Sequence, residues 1–475
     1  MRSIPRFTPL FLVVLFIACV TASSFGQTAD NDAAAALQAG GPGFARVVPQ
    51  SLDFSQPPAT VSSDMVLTFP ANAASSKEVF KANMGPATRS SNSASSAPQS
   101  SAKRDDGDDS DGDGRRANRP TIDGLDSVAT FAGAFINQAG PDLGVSFPFT
   151  MMGNHPLAGG TTTIPAKMTT VNLRLLNADG SLRFDVPFSF RDLVEDSPIF
   201  EETNYRSGGH IQFSDAIQRA EFFRSMGEDW HTVLRPRFVN NVTFTIPRFV
   251  RVRFADGSVK VVQAYRVGTA ADGNHFVLLL DLLFNFLFTN QVVNDINAGN
   301  FTTNALNNVL LPNTFLFSID NQGQPAGCCV LGFHTFFLIP DAVPQPRWIT
   351  QFASWISPGL FGGGVQDISA MSHETAEAFN DPFVDNITSL WQFPGFPPTA
   401  RVCQGNLETG DPVEVLRTST VPITLREGHE VFTFHPQTEA LLQWFEMGTS
   451  SNAIDGAFSF PDETALPHSA LPCPQ

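Results

Sequence analysis

Ser372-His373-Glu374-Thr375-Ala376-Glu377-Ala378-Phe379-Asn380-Asp381-Pro382 is the stretch whose residue types and spacing could do chemistry. On a helix, His373 and Glu377 project from one face, one turn above the other. An imidazole and a second ligand grip a single metal ion at that spacing. Glu374 lies about 100° around the helix, near enough to act on a metal-bound water without ligating. The arrangement follows the logic of the His-Glu-x-x-His zinc helix, with Glu in place of the second His. Carboxylate oxygen is an accepted zinc ligand, but its added negative charge makes a bound water less acidic. The expected roles are therefore zinc ligands at His373 and Glu377 and a general base at Glu374. A third ligand is expected from Glu408 or Asp411, in Glu408-Thr409-Gly410-Asp411 about 27 residues downstream. The ordinary alternative is a solvated helix turn whose i,i+4 pair contributes a few tenths of a kcal/mol.

The elements that must position these residues can be read from pattern. Val365 to Phe379 predicts a helix with Asp367 as a plausible cap, and Asp381-Pro382 stops it because the residue before proline avoids the helical region. Before it, Thr314 to Ile319 and Val330 to Leu338 read as apolar strands, and Phe276 to Val293 as a buried helix. Further upstream, Val171 to Leu176 with Leu182 to Phe188, and Val242 to Phe254 with Val259 to Val267, flank Asp-Gly turns and predict hairpins. Ser214 opens a helix expected to run to about Met226. The expected architecture is α+β: an antiparallel β-rich domain over residues 121–300 and an α/β domain over 301–475.

Composition narrows the function classes. The chain has 475 residues, 42% hydrophobic and only 16% charged, so a sizeable core is available. Lys and Arg number 29 against 46 Asp and Glu, a net charge of −17, which argues against nucleic acid as a partner. Arg2 and Arg6 precede an apolar run from Leu10 to Val20, and Val20-Thr21-Ala22 offers a cleavage site. Residues 1–22 therefore read as a secretory signal, and the expected location is secreted, periplasmic or cell envelope. Phe16-Ile17-Ala18-Cys19 is a weaker match to a lipoprotein box. Residues 23–120 are rich in Ala, Ser, Asn, Gln, Asp and Pro and read as a disordered tether, with short islands such as Val47 to Phe54 able to dock. Within it, Asp109 to Gly114 opens like a calcium loop, but position twelve is Pro120 rather than the required Glu, so it reads as a solvated acidic linker. For an exported chain Cys328, Cys329, Cys403 and Cys473 are expected to be oxidised, with two long-range bridges from Cys328 and Cys329 to Cys403 and Cys473 favoured because adjacent cysteines are awkward to join.

Ser-His-Glu-x-x-Glu-Ala-x-x-Asp-Pro, with Glu-x-Gly-Asp further on, resembles the signature of secreted His-Glu-x-x-Glu proteins that are suspected zincin-type metallopeptidases. It is also similar to part of the plant exordium-like (phosphate-induced) proteins. The resemblance spans about Cys328 to Asp411, and Cys328 to His334 looks like the Gly-aromatic-His strand of that company. It implies a zincin-like catalytic half, with His373 and Glu377 as ligands and Glu374 as base. The expected activity is zinc-dependent hydrolysis of a peptide or protein substrate, in which Glu374 takes a proton from the bound water and later passes it to the leaving amine. The alternative is a non-catalytic cell-envelope or adhesion protein that keeps the fold. On its apolar strand His334 reads as a core histidine unless the resemblance holds, and His429 and His435 read as strand or turn residues.

Overall fold

The computed structural model describes residues 50–51, 65–69, 124–362, 364–396, 402–427 and 430–473. The expected signal sequence with Cys19, the acidic stretch 109–114 and His429 lie outside these residues. The centre of the fold is a sheet built on β1 (Thr161–Leu176), β2 (His231–Ile246), β3 (Leu306–Pro312), β4 (Gly332–Leu338) and β5 (Gln345–Trp355). Their order is β4-β5-β3-β1-β2, with Gln50–Ser51 on the outer edge of β4. β2, β1, β3 and β5 run parallel to one another, and of these five strands β4 is the antiparallel one, to β5.

This corrects the expected fold class. The described residues are 43% strand and 17% helix, and the core sheet is mostly parallel, so this is not an antiparallel β-rich domain followed by a zincin-like α/β domain. The physical reason lies in the burial of the strands. All seven residues of β3 are buried, as in a sheet covered on both faces. Such a strand carries no alternation from which to read its neighbours. The sheet also draws β1 and β2 from one side of residue 300 and β3, β4 and β5 from the other.

Local expectations fare better. Leu173 to Leu176 pairs antiparallel with Leu182 to Val186 around Gly180, whose φ of 81° suits the turn. Phe249–Arg253 pairs antiparallel with Val259–Gln263, although β2 ends at Ile246, just before Pro247. The apolar run after Phe276 is divided: His275–Leu280 is a strand, and only then does a helix begin.

Three helices matter for the site: α1 (Phe213–Glu221), α2 (Asp281–Asn297) and α3 (Ser369–Asn380). β4 lies between two layers because its side chains alternate. Phe333 and Phe337 meet Phe288 of α2, with ring centroids 5.0 and 6.1 Å apart. The next residues, His334 and Phe336, point the other way, and Phe336 packs on Phe383 just beyond α3. All twelve residues of α3 are buried, since the helix packs on β4 and β5 and against α1. Gln351 of β5 ties the layers together by donating to Thr375 Oγ1 at 3.0 Å.

The cysteines pair as Cys328 with Cys329 and Cys403 with Cys473. Both pairs correct the expected bridges from Cys328 and Cys329 to Cys403 and Cys473; the second closes a separation of 70 residues. The tether expectation is also modified at two islands. Gln50–Ser51 pairs with Phe337 and Leu338, and Phe69 is buried in the main core against Phe254, centroids 5.0 Å apart. No helix among the described residues is long and apolar enough to cross a membrane.

Candidate metal centre

α3 starts one turn before the chemistry. Ser369 Oγ accepts from Gln366 N–H at 3.0 Å, and Asp367, the expected cap, instead holds His435 through an Oδ2 to Nδ1 contact of 2.7 Å. At the other end the helix stops at Asp381, as the following proline requires. The stop builds part of the site. Asp381 Oδ1 accepts from Asp385 and Asn386 N–H, which turns the chain away, and its carbonyl lies 3.2 Å from His334 Nε2.

His373, Glu374 and Glu377 all face inward, together with Glu408 and His334 of β4. Asp411 is the most open of the group, its side chain 15% exposed against 1% for His334. Glu377 is the hub. Its Oε1 lies 3.1 Å from His373 Nε2 and accepts from Gly410 N–H at 3.2 Å, while its Oε2 lies 3.3 Å from His334 Nδ1. Glu374 Oε2 stands 3.5 Å from that same Nδ1, and neither Glu374 oxygen accepts a well-formed hydrogen bond. Asp411 Oδ1 is 3.9 Å from His373 Nε2, and Glu408 Oε2 is 3.9 Å from His334 Nε2. Thus the helix triad, Glu408 and Asp411 do converge, with Asp411 on the His373 side and Glu408 on the His334 side.

Two glycines make the approach possible. A β-carbon on Gly332 would lie 2.7 Å from both Cγ and Oε1 of Glu374, and one on Gly410 would overlap the His373 ring. Glu374 and the His373 ring are thereby packed directly against backbone.

The electrostatics follow from burial. Glu374, Glu377, Glu408, Asp411 and Glu439 are five carboxylates near two imidazoles, and the ion pairs of Glu374 and Glu377 are with imidazoles alone. Ionising all of them would leave excess negative charge in a desolvated space, which is costly without a cation or protons. Burial pushes Glu374 up to about 7 against the pull of His334 and His373. Burial and the neighbouring carboxylates, Glu377 first, hold Asp411 well above the usual range, and burial does the same for Glu439. For Glu377 burial is outweighed by His373 and His334, and it is held low. Burial would lower His334, but Glu408, Glu374 and Glu377 together hold it well above the ordinary value.

These buried groups could hold a metal ion. Ligand atoms lie within 4.8 Å of one another in three sets: His334, Glu374 and Glu377; His334, Asp381 and Glu408; and His373, Glu377 and Asp411. Sequence reasoning found the third set and underrated His334, which takes part in the other two. The available signal was a lone histidine beginning an apolar strand directly after Gly332-Phe333. Gln437, which touches His373 from a distant segment, carried no signal at all.

No known protein family, curated protein or solved structure matches the chain. The resemblance over Cys328 to Asp411 therefore rests on its motif alone.

Proposed function

We propose that this chain is a metal-dependent hydrolase of peptide bonds, with a divalent ion, zinc, held by His334 Nδ1, Glu374 and Glu377. One observation carries the reading: His334 Nε2 faces the Asp381 carbonyl, which only an N–H can satisfy, so Nδ1 is the nitrogen turned toward two carboxylates, held there by its own proton in the metal-free protein and free to bind a cation once that proton is displaced. Lone pairs do not gather around one point without a proton or a cation between them. Bonds of about 2.0–2.1 Å at tetrahedral angles separate two ligand atoms by about 3.3 Å. The spacings of 3.3 and 3.5 Å fit that value. A carbonyl that fixes the far nitrogen of a ligating histidine is the usual outer support.

This reading moves three roles from where the sequence put them, that of Asp411 among them. Glu374 becomes a ligand, and His373 becomes the support that faces the outer oxygen of Glu377. When bound, the ion supplies Lewis acidity and an acidified water. Asp411, at the partly exposed edge and held protonatable by burial and neighbouring carboxylates, carries the proton at Oδ1, its other oxygen fixed by Gln404 Nε2.

The test has two stages. The purified protein should bind about one zinc per chain, and a broad peptide library should then be cleaved by the wild type. Asp411→Asn should keep the ion and slow cleavage by roughly 10²-fold or more, the scale for losing a proton-transfer group.

Burial favours a second reading. His334, His373, Glu374 and Glu377 are almost wholly enclosed, as suits an ion that stabilises a non-catalytic cell-envelope protein. Under that reading chelation lowers the melting temperature, and no peptide is cleaved.

A further inference from the structure

Gln437 reaches the centre from outside the helix motif. Its Nε2 lies 2.7 Å from the Gly410 carbonyl and 2.9 Å from His373 Nδ1. The identity of that atom is settled by chemistry, because an amide oxygen at the same place would face the Gly410 oxygen at 2.7 Å with no proton between them. The side chain is fully buried, and its own backbone N–H donates to Ser372 Oγ on α3 at 2.9 Å, so its position is tied to the helix that carries His373.

We infer that Gln437 is a positioning residue that fixes the tautomer of His373 and, through it, the aim of Glu377. Because Gln437 donates to Nδ1, neutral His373 carries its proton on Nε2. That nitrogen lies 3.1 Å from Glu377 Oε1, which Gly410 N–H also engages. With Oε1 held from outside, Oε2 is turned inward to stand 3.3 Å from His334 Nδ1. Gly410 thus contributes twice, its carbonyl orienting Gln437 and its N–H holding Glu377. It also follows that His373 cannot offer Nε2 to an ion without giving up the hydrogen bond from Gln437, since a ring ligating through Nε2 bears its proton on Nδ1. The inference rests on the proposed ion position for its effect on metal binding, but not for the tautomer.

Nitrogen-15 spectra of the imidazoles in the metal-free protein are the first test. His373 should show an unprotonated Nδ1 accepting a hydrogen bond and a protonated Nε2, and a wild-type His373 protonated at Nδ1 alone overturns the inference whatever the metal does. Gln437→Glu places an acceptor at the same point and should move a proton onto Nδ1. Gln437→Met, close in volume but without a donor, should keep the fold and weaken zinc binding by about 10–100-fold, the scale for losing an outer-sphere support. Unchanged affinity in Gln437→Met also overturns it. If the wild type binds no zinc, the functional reading fails, and the His373 spectra of wild type and Gln437→Glu decide the inference alone.

Discussion

Gly332→Ala tests the centre without replacing any ionisable group. The added β-carbon would lie 2.7 Å from Glu374 Cγ and Oε1, where ordinary contact begins at 3.4 Å, so Glu374 must retreat by about 0.7 Å. The strand cannot retreat in its place, because the same carbon would lie 2.9 Å from the Phe352 carbonyl of the paired β5. Metal–ligand bonds tolerate only about 0.2 Å. A displacement several times larger should weaken zinc binding by at least about 10-fold. Overpacking should cost about 1–3 kcal/mol of stability. Calorimetric zinc titration well below the melting temperature separates the two effects, with a denaturant melt of the metal-free protein alongside. Gly362→Ala is the control, since a β-carbon there meets nothing within 4 Å. Zinc affinity in Gly332→Ala within about twofold of the wild type would falsify the placement of Glu374 at the ion.

Glu374→Gln and Glu377→Gln should each lose the ion, measured as metal content after dialysis; retention in Glu374→Gln alone would return that residue to the role of base. Glu221, buried with Oε1 accepting from Leu442 N–H and Asn380, has its carboxyl pushed up to about 8 by burial. The folded state therefore keeps a proton that the unfolded chain has released. Between about pH 4.5 and 8 this contribution to stability falls as pH rises, by up to about 1.4 kcal/mol per unit. Denaturant midpoints across that range should show a slope that flattens in Glu221→Gln, and an unchanged slope would refute the assignment. Phe69→Ala should destabilise the fold by about 3 kcal/mol, as expected for a buried aromatic, and a melting temperature equal to wild type would mean that the island around Phe69 does not dock.

The helix that carries the chemistry was legible because its signals are local. Ser372 to Asp381 fixes the spacing of His373, Glu374 and Glu377, and Asp381-Pro382 sets the end of the helix within one residue of where it falls. Hairpins at Gly180 and Gly257 were legible for the same reason, since an Asp-Gly turn states its own geometry. The parallel pairing of β1 with β2, about 70 residues apart, left no such trace, because parallel neighbours are joined by long crossovers and strands buried on both faces lose their alternation. The centre depended on that pairing. Residue types and spacing in the sequence by itself determined that an imidazole and two carboxylates would share a helix turn. Only the tertiary structure decided which imidazole faces both carboxylates, because that depends on which way β4 turns His334, on a β-carbon missing at Gly332, and on a glutamine more than 60 residues away that settles where His373 keeps its proton.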